Sequence, residues 1–418
     1  MDVQEVPVYE IDSTNFFEHY ENILQDIESC TFYSIDVELS GLGNRLKLGD
    51  QDLERRYNAL CDIAVTRSIL CLGLSFYTKV GVNEFSVRNY NIFVIANGPI
   101  VFDPESALFL AEHGFDFNRV FIHGVNYNVG NDDGQYIDYS IPSIRNLFAR
   151  LIKIQKPVIL HNGLCDLVFL YFHFYANLPS DWSTFIEDIF DMFRGGIYDT
   201  KHIAKISEDY SSSFLAYVFK KTQRLVCAAS KTSSTSILEI RFPSLANLAS
   251  KQYNANISSS FKSLVSGKLT NLKPRVEICP KYAELGYCAT NCGKSHNLDL
   301  VLDAEYFFSN QRKNANITGE TFNDENSDVS DCQLGHNAGM DSFMTGYIFA
   351  FVLLTCRKPF SLDSNSSKRM KLDEMYNLDS YRNKLSIVRR SNAFSIVQSS
   401  FSKCSNQHST KMKQILKI

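Results

Sequence analysis

The stretch Phe32-Tyr33-Ser34-Ile35-Asp36-Val37-Glu38-Leu39-Ser40-Gly41 sets two carboxylates, one residue apart, inside an apolar and aromatic run. The run reads as a β-strand. In a strand residues i and i+2 share a face, so Asp36 and Glu38 point one way while Tyr33, Ile35, Val37 and Leu39 point into a core. Acids are scarce in strands, and like charges held together away from water need a partner. A divalent cation that prefers oxygen ligands is the natural one. The competing reading is a surface strand whose solvent face is acidic.

Upstream, Ile11, Phe16, Phe17, Tyr20, Ile23, Leu24 and Ile27 recur at helical spacing and predict an amphipathic helix over 10–28, capped by Asp12-Ser13-Thr14. Downstream, a polar loop and short helix over 44–58 lead to two further strands, 68–77 and 90–96, joined by a Gly-containing turn. Helices follow over 104–113, with Asp103 as its cap, and over 140–153. A short apolar run at 157–160, an apolar helix at 164–175, a short strand at 196–199 and a helix at 200–206 complete this part. Three consecutive strands followed by alternating helices and strands predict an α/β fold with a mixed sheet flanked by helices.

A chain of 418 residues with 44% hydrophobic and 21% charged residues has the composition of a globular protein with room for two or three domains. The net charge of −4 conceals an asymmetry, because across 214–276 Glu239 is the only acid against ten Lys and Arg. Such a stretch suits a polyanion. The cysteines lie mostly singly in apolar context, and no charged start precedes an apolar leader. Reduced thiols in an intracellular protein are therefore expected. The apolar runs at 167–175 and 343–356 are too short for a bilayer, so no membrane partner is expected. The organisation reads as a first domain segment at 1–220, a basic, partly ordered connector at 221–273, a small Cys/His module at 274–300 and an acidic flexible loop at 301–332. A return to core-like sequence at 333–358 and a basic, Ser-rich tail at 359–418 follow.

Two more acids sit at or near the start of apolar helices just after glycine turns: Asp166, in His161-Asn162-Gly163-Leu164-Cys165-Asp166, and Asp341, in His336-Asn337-Ala338-Gly339-Met340-Asp341. Converging with Asp36 and Glu38, they would hold two Mg²⁺ or Mn²⁺ ions roughly 3.5–4 Å apart. His336, five residues before Asp341 and flanked by Gly335 and Gly339, is expected in the preceding loop, where an imidazole can act as general base. Singly, each of these residues has a structural explanation. Their order on suitable elements is what carries the chemistry.

A second cluster, Cys279-x8-Cys288-x3-Cys292-x3-His296, has the ligand set of a closed structural Zn²⁺ site, with Gly286 and Gly293 permitting tight turns. Tyr282 and Tyr287 offer rings for base stacking, and Lys273, Arg275, Lys281 and Lys294 offer charge for phosphates. A solvated surface with two core tyrosines is the alternative.

Asp36-Val37-Glu38, Asn162 to Asp166 and His336 to Asp341 resemble the three exonuclease motifs of the His-containing branch of the DEDD superfamily. The segments 115–121, 160–163, 198–201 and 336–347 narrow the resemblance to the CAF-type and poly(A)-specific ribonuclease deadenylases. The resemblance implies a ribonuclease H-like fold, two-metal 3′→5′ exoribonuclease chemistry, and single-stranded RNA with a 3′ adenylate tail as partner. It assigns Asp36, Glu38, Asp166 and Asp341 to the ions and His336 to the water, and leaves Asp199 in a supporting role. A CCCH finger inserted before the third motif resembles the target-of-EGR type of Cajal-body deadenylase. That implies a nuclear protein, with nuclear protein partners, acting on small and other noncoding RNAs, and Lys368-Arg369-Met370-Lys371 would serve as its localisation signal. An RNA-binding adaptor with an inactive nuclease domain and a DNA 3′ exonuclease remain as alternatives.

Overall fold

The computed structural model describes residues 3–44, 46–130, 138–232, 236–267, 277–288, 292–313, 336–357 and 376–418. Its centre is a mixed sheet of eleven strands: β1 (Glu5–Ile11), β2 (Phe32–Leu39), β3 (Ile69–Lys79), β4 (Glu84–Ala96), β5 (Val125–Tyr127), β6 (Val158–Leu160), β7 (Ile197–Asp199), β8 (Glu239–Arg241), β9 (Ser250–Asn254), β10 (Lys384–Leu385) and β11 (Phe394–Ser395). Their order is β11-β10-β7-β6-β2-β3-β4-β1-β9, with β5 and β8 also paired to β4. β2, β3 and β4 form the antiparallel meander that their sequence predicts. On the other side β6 and β7 run parallel to β2, as βαβ connections demand.

Helices cover both faces, so both carry cores. Tyr33, Ile35 and Val37 of β2 face one core with Leu72, Leu74, Tyr90 and the helices Phe16–Ser29, Ile144–Lys153 and Leu164–Leu170. Phe32, Tyr77, Phe85, Ile159 and Tyr198 face the other, built around the helix Ala338–Thr355. That helix has the length and apolar composition of a membrane span, yet 83% of it is buried against the sheet and neighbouring helices. Ser34, Asp36 and Glu38 therefore point at a buried helix and not at bulk water.

Five regions depart from expectation. The predicted helix over 10–28 begins only at Phe16, because Val6 and Val8 alternate into the core as β1, which pairs with both β4 and β9. Asp103 precedes the helix Pro104–Glu112 without capping it. Its carboxylate accepts the Gly43 N–H at 2.5 Å and pairs with Arg67 at 2.7 Å.

The basic stretch is more ordered than a connector and less available to a polyanion. It supplies the helix Leu215–Thr232, β8 and β9. Among the described residues five of its cations are paired with carboxylates: Lys220 and Arg224 with Asp299, Arg224 also with Asp303, Lys221 with Glu305, Arg241 with Glu84 and Lys251 with Glu10. The acids at 299–305 lie on the helix Leu298–Lys313, too distant in sequence for a local charge count to include.

Residues 376–418 are part of the fold and not a tail. β10 extends the sheet beside β7, and Leu385, Ile387, Ile396, Met412 and Ile415 are buried in the first core. Glu187 accepts the Ser399 N–H, Asp188 that of Ser405, and Asp191 pairs with His408 at 3.0 Å, so one helix, Trp182–Met192, holds the segment at three points. The first part of the predicted acidic loop, 301–313, is instead helical, within Leu298–Lys313, where its acids pair with the basic helix; the remainder and Lys368-Arg369-Met370-Lys371 lie outside the described residues.

Candidate active site

The close approach of helix Ala338–Thr355 to β3 builds the site. Gly73 lies opposite Asp36 in the sheet. A Cβ at Gly73 would stand 1.9 Å from the Ala338 carbonyl oxygen, so only glycine lets the helix start descend onto the strand. Small polar residues tie it down. Ser34 Oγ donates to the Ser342 carbonyl at 2.7 Å, Tyr77 donates to the Phe343 carbonyl at 2.7 Å, and the Ser75 and Ser342 hydroxyls meet at 2.7 Å. Asn337 caps the helix by accepting the Met340 N–H, while Asn91 Oδ1 accepts the Gly339 N–H. Gly73 and Asn91 carry no charge or motif; an isolated glycine inside a strand was the signal available for the first.

The outcome is that carboxylate oxygens of Asp36, Glu38 and Asp341 lie within 4.8 Å of one another. A register shift between Glu38 and Leu39 marks a bulge at the end of β2, the kind of irregularity that re-aims a side chain. Asp166, on the helix Leu164–Leu170, stands outside that radius but close enough to act on both β2 acids. Burial, then Asp341, Asp166 and Glu38, pushes the Asp36 carboxyl well above its ordinary range, and Glu38 is raised by burial, Asp341 and Asp166. Asp166 and Asp341 are each raised to about 7, chiefly by burial. Among the described residues no cationic side chain offsets the repulsion at any of the four. A set of oxygen donors this crowded, without a counter-charge of its own, fits hard divalent cations.

Asp199 is fully buried and points its oxygens elsewhere: Oδ1 accepts the N–H groups of Asn162 and Lys201 at 2.9 Å, and Oδ2 accepts that of Ser386 at 2.8 Å. It fixes the turn that leads to Asp166. Asn162 in that turn has φ of 62°, a strained left-handed conformation that the Asp199 contact helps to hold.

His336 precedes the helix, with φ of 64°, and its N–H donates to Asp341 Oδ2 at 3.0 Å. Its ring packs against Phe109 and His113, with centroids 4.3 and 4.4 Å away. Burial, then the neighbouring His113, lowers its pKa to about 4. The imidazole is thus neutral at physiological pH and able to accept a proton. Neither Phe109 nor His113 stood out in the sequence.

The Cys/His cluster also assembles. Donor atoms of Cys279, Cys288, Cys292 and His296 lie within 4.8 Å of one another, with Cys292 Sγ 3.0 Å from His296 Nε2. Gly286 and Gly293 take the left-handed conformations the turns require. The Tyr282 N–H donates to Cys279 Sγ and, as the largest influence, lowers its pKa to about 6. Three sulfurs and one imidazole in contact fit Zn²⁺. Of the predicted RNA contacts, Lys281 and Tyr287 are exposed and lie together, the ammonium 5.6 Å from the ring. Tyr282 stacks on His296, with centroids 4.9 Å apart, and its ring also meets Phe214 at 6.3 Å, a contact between the module and the rest of the protein. Lys294 is paired with Glu277 at 2.6 Å, and Lys273 and Arg275 lie outside the described residues.

A mixed sheet flanked by helices, with a carboxylate centre where a strand meets a buried helix, defines an α/β protein whose crowded oxygen donors suit divalent cations. The sequence matches the CAF1 family ribonuclease profile over residues 11–140 and 135–349, and the chain belongs to that family. Human poly(A)-specific ribonuclease PARN is 30% identical over 135 residues, covering 28% of this chain and 21% of PARN. The silkworm (Bombyx mori) pre-piRNA 3′-exonuclease trimmer is 26% identical over 150 residues, covering 33% of this chain and 28% of its own. The chain thus spans under a third of these curated relatives. Among solved structures, S. pombe Pop2p, described as its Mg²⁺- and Mn²⁺-bound form, aligns with 52% of this chain and 82% of its own at 20% identity and a TM-score of 0.40.

Proposed function

We propose that the protein is a metal-dependent 3′→5′ exoribonuclease that removes adenosines from RNA 3′ ends, acting in the nucleus on small and other noncoding RNAs. The observation that carries this reading is the convergence of Asp36, Glu38 and Asp341 within 4.8 Å, with Asp166 acting on the β2 pair and no cation of the protein's own between them. Membership of the CAF1 ribonuclease family supports it, as do one relative named a 3′-exonuclease trimmer and another named a poly(A)-specific ribonuclease.

Asp36, Glu38, Asp166 and Asp341 would hold two Mg²⁺ or Mn²⁺ ions. Bound there, such ions ease deprotonation of water and stabilise charge on a leaving 3′ oxygen. The protein's own contribution is positional and protonic. The four carboxylates set where the ions would sit, at one end of the sheet, and neutral His336 accepts the proton of the attacking water. Cys279, Cys288, Cys292 and His296 would hold a structural Zn²⁺ that keeps the module folded against Phe214.

The test uses 5′-labelled RNAs ending in A, U or C tails, with a DNA of equal length, incubated with wild type and Asp36→Ala in Mg²⁺ and in chelator. The expected result is stepwise shortening of the A-tailed RNA by wild type in Mg²⁺ alone, reduced roughly 10³-fold or more in the variant. Equal shortening by Asp36→Ala, or a preference for DNA, refutes the reading.

A further inference from the structure

The segment after β10 carries a feature that the carboxylate centre does not use. Leaving the sheet beside Asp199, the chain turns at 387–390, where the Arg390 N–H donates to the Ile387 carbonyl at 3.1 Å. Arg389 sits in this turn with φ of 62°, a conformation that glycine or asparagine adopts at less cost. The turn is bolted to the loop that follows the Asp36-Glu38 strand. Arg56, only 3% exposed, donates to the carbonyls of both Asp50 and Val388, at 2.6 and 2.9 Å. Gln51 donates to the Arg389 carbonyl at 3.1 Å, and Arg390 donates to that of Gln51 at 2.8 Å. Gly49 approaches so closely that a Cβ there would stand 2.5 Å from Arg389 Nη1.

This arrangement crowds like charges. Arg389 and Arg390 are near enough to Arg56 for both to push its pKa down, added to the larger effect of burial. Asp50 is the acid that opposes them at Arg56, and its carboxylate is engaged by Arg55. Among the described residues neither Arg389 nor Arg390 has a carboxylate partner, and the side chains of Arg389 and Lys47 make no hydrogen bond or ion pair. Arg389 is exposed and Arg390 half-exposed. Lys47 lies two residues from Gly49 and is exposed too.

The location gives these charges a meaning. Asp199 divides its oxygens between Asn162, four residues before Asp166, and Ser386, three residues before Arg389. The other half of the rim begins where β2 ends, just beyond Glu38. Both halves therefore rise from the sheet end that carries the carboxylates. A polyanion whose terminus enters four crowded carboxylates meets repulsion, which cations along its approach offset.

We propose that Arg389, Arg390 and Lys47 form a phosphate-binding rim that holds the backbone of single-stranded RNA behind its 3′-terminal nucleotide. The rim rests on the exoribonuclease reading above and adds the path of the substrate to it. It joins two segments more than 330 residues apart in sequence, Gln51 and Arg390 being 339 apart.

The experiment compares full-length wild type with Arg389→Glu/Arg390→Glu and with Arg389→Lys/Arg390→Lys. Binding of a labelled 20-nucleotide A-tailed RNA is followed by anisotropy in chelator across salt, and turnover of that RNA and of a trinucleotide is followed in Mg²⁺. Charge reversal is expected to weaken binding on the order of 10-fold near 0.1 M salt and to flatten the slope of log K against log salt by about one to one and a half. The KM for the long RNA rises by a similar factor while kcat and trinucleotide turnover stay within about twofold. The lysine variant retains most of the binding, which separates lost charge from lost folding. Unchanged salt slope and KM in the reversed variant overturn the proposal, as do a lysine variant as weak as the glutamate one and tighter binding of polyglutamate than of RNA. A wild type that binds RNA through the rim but never shortens it refutes the exoribonuclease reading and leaves the rim standing.

Discussion

Two groups of charged side chains are withdrawn from water in this protein, and they are built on opposite plans. Between the helices Leu215–Thr232 and Leu298–Lys313, Arg224 pairs with Asp299 at 2.7 Å and Asp303 at 2.9 Å, and Lys220 reaches Asp299 at 2.6 Å. Burial pushes the Asp299 carboxyl up, but Arg224 and Lys220 outweigh it and hold it below the ordinary value. At the carboxylate centre burial acts in the same direction and, among the described residues, nothing opposes it with positive charge, so all four acids are raised. A cluster that serves only the fold closes its own charge balance. One left open points to something that binds there.

The largest effect expected from breaking this contrast is on the balanced side. Arg224→Met strands Asp303, itself 2% exposed, and should cost about 3–5 kcal/mol in urea unfolding. A loss under about 1 kcal/mol would mean that the pair behaves as a surface ion pair.

The second prediction concerns pH. Asp166 and Asp341 rise from an ordinary 3.8 to about 7, so the folded form holds their protons more tightly than the unfolded chain does. Their contribution favours folding below about pH 4 and is lost as pH climbs toward 7. In chelator their share should therefore lower the melting temperature between about pH 5 and pH 7.5. Saturating Mn²⁺ should restore roughly 5 °C at the upper pH and less at the lower. A metal gain independent of pH would contradict the uncompensated cluster.

The smallest effect sharpens the same point. Asp36→Asn removes one of the repelling charges, so in chelator at about pH 7.5 its melting temperature should exceed that of wild type by ~2–4 °C. The same variant should lose most of the Mn²⁺ gain. Destabilisation in chelator would show that Asp36 is held by contacts and not strained by its neighbours.

Much of this was legible locally. The alternation around Asp36 and Glu38, the meander and the glycine turns before Asp166 and Asp341 depend on neighbours in the chain, which a sequence displays. The misreadings have one common origin in long-range partners. β1 was hidden because Val6 and Val8 need β4 and β9 to become a strand. The basic stretch looked free because Asp299, Asp303 and Glu305 arrive from another helix. The ring of Tyr282 stacks on His296 from its own module and meets Phe214, from much earlier in the chain.

By itself, then, the sequence determined which element type presents each candidate side chain, a strand for Asp36 and Glu38 and helix starts for Asp166 and Asp341. Tertiary structure decided how they meet: the missing Cβ at Gly73 admits Asp341 to Asp36 and Glu38, and the two oxygens of Asp199 tie the Asp166 turn to the arginine turn at 387–390. Periodicity is a property of adjacent residues, whereas close approach depends on the shapes and charges that distant segments offer one another once packed.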